Sequence, residues 1–276
     1  MPTITVYRHG VSAGMGNQSA VPPERTHVRG WSAHAIRRNQ QFLYSIDENG
    51  LADLSGLSLT LTVRDCPDTA QEWCRARDNW LRQLRRTNPV CVHWVTEWQR
   101  RGVPHIHLAI YWPLDTPTPP DLPALIEHWL SLTARWRPDG IGQHSRRIYD
   151  VLGWNQYVSK HAARGLRHYQ RSPDGVPQGW RGASTGRMWG KLGKWPVTPP
   201  VPLQGGSRSF YAFRRVARAW RLSHARASGN PARIRSARQM LRCPDKNRSA
   251  VRGFSEWMPA AVTLQYLRTV PDLISI

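Results

Sequence analysis

The sequence predicts an α+β fold, a central antiparallel β-sheet flanked by helices, with a basic helical C-terminal extension. Three observations lead there. The stretch Val90–Trp112, VCVHWVTEWQRRGVPHIHLAIYW, reads as two strands rich in β-branched and aromatic residues, joined by a turn at Gln99–Gly102. Leu57–Arg64, LSLTLTVR, alternates leucine with Ser or Thr, the period of a half-buried strand. Several other segments repeat their apolar residues at helical spacing.

In chain order, residues 1–29 are polar and rich in Gly, Ser and Pro, and read as an irregular lead-in. Ser32 can cap a helix through Ile36, Phe42, Leu43 and Ile46, ended by Asn49–Gly50. Thr69–Arg86 carries Trp73, Arg77, Trp80, Leu81 and Leu84 on a helical stripe. A proline-rich connection at 113–123 leads into a helix over Leu122–Trp136, followed by a Gly/Arg loop. Arg146–Val151 is a short strand candidate, and Gly153–Arg164 a helix ending at Gly165. Residues 196–207, PVTPPVPLQGGS, look like a linker. Beyond it, Ser209–Arg252 is dense in arginine and suggests one or two basic helices. The expected organisation is therefore a lead-in (1–29), a main domain (30–195), a linker (196–207) and a basic, mainly helical region (208–276).

The hairpin is where chemistry concentrates. Side chains alternate along a strand, so His105 and His107 share a face. A turn centred on Arg101 places Glu97 opposite His105, within side-chain contact range. Two imidazoles and a carboxylate then converge as a divalent-metal site with open coordination positions. Two histidines at i, i+2 are weak evidence alone, but the mirrored Glu97 strengthens them. On the helix over 153–164, Tyr157 and Lys160 lie three residues apart, on one face. A phenol with a pKa near 10 is a poor nucleophile at neutral pH. A metal polarising the target phosphate and a nearby ammonium would make its attack practicable. Tyr157 is thus a candidate nucleophile and Lys160 its electrostatic helper. Tyr-x-x-Lys is common and usually structural, so its weight comes from the triad.

Composition supplies the partner. The chain of 276 residues carries a formal net charge of +21, which points to a polyanion. Fourteen tryptophans beside abundant arginine suit phosphate forks and base stacking. Genomic base composition could explain arginine over lysine, but not the scarcity of acids. Candidate DNA contacts are Arg37 and Arg38, Arg100 and Arg101 at the hairpin turn, Arg164, and Arg187 and Lys191 in the segment GRMWGKLG. The four cysteines form no C-x-x-C pair, which argues against a zinc ribbon or a disulfide framework. No run is apolar enough to span a membrane and no secretory signal is recognisable, so a cytoplasmic location in a bacterial host is expected.

These motifs resemble the HUH endonucleases, in particular rolling-circle replication initiators of plasmids and single-stranded-DNA or filamentous phages. His105–Ile106–His107 is similar to the motif that names the family, Glu97 to its upstream carboxylate, Leu59–Thr62 to its Thr-rich strand, and Tyr157–Lys160 to its nucleophile motif. The similarity covers roughly residues 30–195 and keeps the family order. It implies Mg2+ or Mn2+ as cofactor, and single-stranded or cruciform-extruded origin DNA as substrate. It also implies a 5′-phosphotyrosyl intermediate with a free 3′-OH. A host helicase and replication machinery are expected partners, since the chain has no helicase phosphate loop; an oligomer is possible. Where some phage initiators carry a second tyrosine four residues on, this chain has His161. Tyr149 and Tyr169, eight and twelve residues from Tyr157, are too far along one helix to substitute simply. The alternatives are a transposase or relaxase of the same superfamily, a non-catalytic DNA-binding regulator, and an RNA-binding protein or ribonuclease.

Overall fold

The computed structural model describes residues 2–15, 28–114, 121–163, 169–242, 253–270 and 273–275, with the side chains of residues 15, 160–163, 240 and 273–275 left aside. The elements begin with β1 (Pro2–Val6), β2 (Gly10–Met15), α1 (Ala33–Ser45), β3 (Leu54–Thr62), α2 (Ala70–Arg85), β4 (Cys91–Trp98) and β5 (Pro104–Pro113). They continue with α3 (Leu122–Leu132), β6 (His144–Arg147), α4 (Val151–Ala163), β7 (Trp189–Gly193) and β8 (Val201–Gly205). The last are α5 (Ser207–Ala227), α6 (Pro231–Arg242), β9 (Gly253–Trp257), α7 (Ala260–Leu267) and β10 (Leu273–Ser275). These make two compact units, one from Glu24–Leu43 with Asp47–Pro196, the other from Met1–Pro23, Tyr44–Ile46 and Val197–Ile276.

The larger unit is an antiparallel sheet in the order β6-β3-β5-β4-β7. Strand alternation gives it two unlike faces. Leu59, Leu61, Val92, Trp94, Ile106, Leu108 and Ile110 share an apolar core with Trp73 and Trp80 of α2 and Trp129 of α3. A capping box at Thr69 and Glu72 starts α2, satisfying backbone N–H groups that no earlier turn can reach. The Trp80 indole N–H donates to the Leu125 carbonyl at 2.9 Å, so a buried core tryptophan also ties α2 to α3. The opposite face of the sheet carries Thr60, Thr62, Glu97, His105 and His107, as the register places them. α1 starts where Ser32 Oγ accepts the Ala35 N–H. It ends at Ser45, short of the expected Asn49–Gly50, because Asp47 begins a separate 3₁₀ turn over Glu48–Leu51.

The smaller unit corrects the expectation for both ends of the chain. Residues 2–15 are not an irregular lead-in but the hairpin β1–β2, and the proline-rich stretch taken as a linker contains β8. With β9 and β10 they form a second five-stranded antiparallel sheet, β10-β8-β1-β2-β9. The C-terminal region carries the helices α5, α6 and α7, as expected, and adds the strands β9 and β10 to them. Its core joins Ile4, Val6 and Val11 to Phe210, Phe213 and Met258. The strands are short and carry Gly, Ser and Pro, residues depleted from or neutral in sheets. Their partners are remote in sequence: Thr3 pairs with Gln204, and Val11 with Glu256. Among the described residues β10 pairs with Leu203–Gly205 and not with Pro202.

Candidate active site

Three strands build the centre. In the β4–β5 ladder Glu97 faces His105, and in the β3–β5 ladder Thr60 faces His107 and Thr62 faces His105. The hairpin turn has the Gln99 N–H bonded to the Val103 carbonyl, and Gly102 takes a positive φ of 75°, which glycine adopts without strain. The mirror placement of Glu97 and His105 thus follows from turn geometry. All three side chains are buried, with Glu97 only 1% exposed.

The ligating atoms converge. His105 Nε2 and His107 Nε2 are 2.9 Å apart, and Glu97 Oε2 is 3.8 Å from His107 Nε2. One ligand atom from each of the three residues lies within 4.8 Å of the others. Two nitrogens and one carboxylate oxygen at this spacing fit a divalent cation, with positions left for substrate oxygens or water. The Thr-rich strand serves this set directly. Thr60 Oγ1 lies 2.8 Å from His107 Nδ1; when Nε2 offers its lone pair, Nδ1–H donates to that hydroxyl and fixes ring and tautomer. Burial pushes the His105 pKa down to about 4, partly opposed by the Glu97 backbone, so the imidazole is held neutral, the form that binds metal.

α4 brings Tyr157 to the same centre. Its ring meets the His107 ring edge-on, with centroids 6.2 Å apart, and stacks on Trp154 at 5.5 Å. It is 43% exposed, open to a substrate. Burial raises its pKa, and the Glu97 and Tyr169 charges push the same way. A second positive charge or a proton acceptor is needed before this phenol can attack. Tyr169 thus lies near Tyr157 in space, in a segment tied to β4 where the Trp98 N–H donates to the Gln170 carbonyl. The expected separation along a single helix does not describe Tyr169.

That returning segment contains the residue sequence reasoning missed. Arg171 is fully buried. Its Nε and Nη2 lie 2.8 and 2.7 Å from Glu97 Oε1. Nη2 also donates to the Val158 carbonyl at 2.9 Å, next to Tyr157. Its guanidinium sits 4.2 Å over the Trp31 ring, whose N–H donates to the Thr96 carbonyl. One cation thus holds the carboxylate and the helix that carries Tyr157. No sequence signal distinguishes Arg171 among so many arginines, seventy-four positions from Glu97.

The remaining predicted residues fall into two groups. Arg37, Arg38, Arg187 and Lys191 are exposed, with Lys191 Nζ 4.6 Å over the Phe42 ring. Arg100 lies 5.5 Å over the Tyr169 ring. Arg101 instead braces the turn: its guanidinium donates to Gln99 Oε1 and to the Val63 and Arg64 carbonyls. Those bonds use three of its five N–H donors, and the residue is exposed. The Lys160 side chain and all of Arg164 lie outside the described residues. Burial raises the Cys66 thiol to about 11 and Cys91 to about 12, which leaves both thiols protonated and inert.

Comparison with known proteins agrees with this centre. The replication-associated protein family ORF2/G2P matches residues 56–165, which include the triad and Tyr157. The chain is 49% identical over 274 residues to a protein of Xylella fastidiosa strain 9a5c named as a candidate replication protein, covering 96% of this chain and 95% of the relative. It is 46% identical to the replication-associated protein G2P of Pseudomonas phage Pf3, covering 97% and 96%. No solved structure matches. No helix of the described residues is long and apolar enough to cross a membrane. With relatives this similar along nearly its whole length, and a His/Glu metal-binding triad of the HUH type, the chain belongs to the ORF2/G2P family of replication-associated proteins.

Proposed function

We propose that the chain starts rolling-circle replication by nicking one DNA strand and keeping hold of its 5′ end. The observation that carries this reading is Tyr157, half-exposed and edge-on to His107, one side chain from the convergent Glu97, His105 and His107. The phenol oxygen of Tyr157 attacks the scissile phosphorus, and the bond from phosphorus to the 3′ oxygen breaks. The product is a 5′-phosphotyrosyl link and a free 3′-OH that primes synthesis; the phenol proton is lost to solvent or a neighbouring base. A bound Mg2+ or Mn2+ would supply Lewis-acid polarisation of the phosphate. Glu97, His105 and His107 would hold it, with Lys160 as an electrostatic helper to the phenolate. Two imidazoles favour Mn2+ over Mg2+ in affinity.

The substrate in this reading is single-stranded or cruciform-extruded origin DNA, which leaves the scissile phosphate accessible. Trp154 and Tyr157 offer stacked rings beside the centre, a platform for an unpaired base. The host's helicase and replication machinery would extend the 3′-OH, and assembly into an oligomer would offer a second tyrosine for release. The names of the relatives favour replication over transposition or conjugation. The test is incubation with matched single-stranded DNA and RNA oligonucleotides and Mn2+. A denaturation-resistant adduct on DNA, lost with EDTA and in His105→Ala or His107→Ala, is expected. Adducts on RNA alone, or DNA binding with no adduct under any cation, would reject it.

A further inference from the structure

The unit built from both chain ends has a charge imbalance that the catalytic reading leaves unexplained. Within its residues the sequence holds three acids, Asp245, Glu256 and Asp272. Glu256 is the one among the described residues, and it is taken by Arg221 of α5. α6 packs against α5 with Ala237 buried, and Arg233 turns back to His224 Nδ1 at 3.3 Å. Arg235, Arg238 and Arg242 stand at i, i+3 and i+7, one face of a helix, and all three are exposed. No carboxylate among the described residues pairs with them. A row of guanidinium groups on one helix face, with no counter-charge among the described residues, suits an external polyanion.

We propose that this face of α6 grips the phosphate backbone of double-helical DNA. α6, PARIRSARQMLR, has no aromatic residue, so it offers nothing for an unpaired base to stack on. Its arginines contact phosphates and carry no base readout. The assignment rests on the chain being a DNA enzyme, as argued above. It adds a second DNA-binding surface, for duplex, in the unit that lacks the metal centre.

The test uses the full chain and R235Q/R238Q/R242Q, with anisotropy on a short duplex and a matched single strand across a range of salt. Duplex affinity should fall, and the slope of log affinity against log salt should shrink by about 2 to 3, roughly 0.9 for each phosphate no longer neutralised. Adduct formation on a short single strand should keep its rate. Should the triple variant fail to fold, Arg238→Gln alone should shrink the slope by about 1. An unchanged duplex slope, or an equal loss on duplex and single strand, would overturn the assignment. If neither protein forms an adduct yet the duplex slope still shrinks, the nicking reading fails and the duplex-binding face stands.

Discussion

A buried arginine tests how the centre is held. Arg171 donates from Nε to Glu97 Oε1, ion-pairs with it through Nη2 and donates from Nη2 to the Val158 carbonyl, so it fixes a metal ligand and the backbone beside Tyr157 together. Removing it leaves a buried carboxylate uncompensated, which costs about 3–5 kcal/mol. Arg171→Met should therefore lower stability. It should also weaken Mn2+ binding by roughly tenfold or more, as loss of an outer-shell partner does. Arg171→Lys keeps the charge but not the fork, and should restore stability more than adduct rate. Calorimetric Mn2+ titration beside urea unfolding separates the two effects. Unchanged Mn2+ affinity in Arg171→Met would show that the arginine only fills space. The triad itself was legible because strand alternation and turn symmetry are local rules. Arg171 was not, because its contacts close a long loop that spacing cannot encode. The bonds from Arg101 to the Val63 and Arg64 carbonyls were hidden for a related reason, since spacing does not bring the turn and the end of β3 together.

At the scale of elements, the hairpin, the Leu/Thr strand and α2 could be read directly, since each has a strong period and its own caps. β1, β2, β8, β9 and β10 could not. Each is short, and the pairings of β1 with β8 and of β2 with β9, which close their sheet, join opposite ends of the chain. This changes what truncation means. Ending the chain at residue 200 removes β8, β9 and β10 and leaves β1–β2 as an isolated pair, which is marginal in water. Ile4, Val6 and Val11 would lose Phe210 and Phe213 from their core. The truncated chain should lose hydrogen-exchange protection at the β1–β2 amides while the β3–β5 amides keep theirs. Protection retained in β1 and β2 would show that the tail is a detachable appendage after all.

For the molecule as a whole, charge sets both pH response and partner. His93 is buried, with Nε2 2.8 Å from Asn39 Oδ1. Burial, with the Arg171 and Lys191 charges, pushes its pKa from 6.5 down to about 3. A histidine held neutral in the fold is protonated more readily when unfolded. Its contribution is therefore complete above pH 6.5 and is lost as pH falls toward 3, at about 1.4 kcal/mol per unit. The urea midpoint should drop between pH 7 and 5, this residue lowering the unfolding free energy by about 2 kcal/mol, and His93→Gln should flatten the drop. A midpoint that holds or rises would contradict the burial argument. The basic excess was legible from composition alone, yet its division between the unit that holds the triad and a second, nearly acid-free one needed the fold. The account as a whole turns on one bond, between a phenol oxygen and a DNA phosphorus. Mass spectrometry of the peptide left on a cleaved single strand measures it directly. The account predicts a 5′ phosphate esterified to Tyr157, absent in Tyr157→Phe; linkage to another residue, or a free 5′ phosphate with no peptide attached, would contradict it.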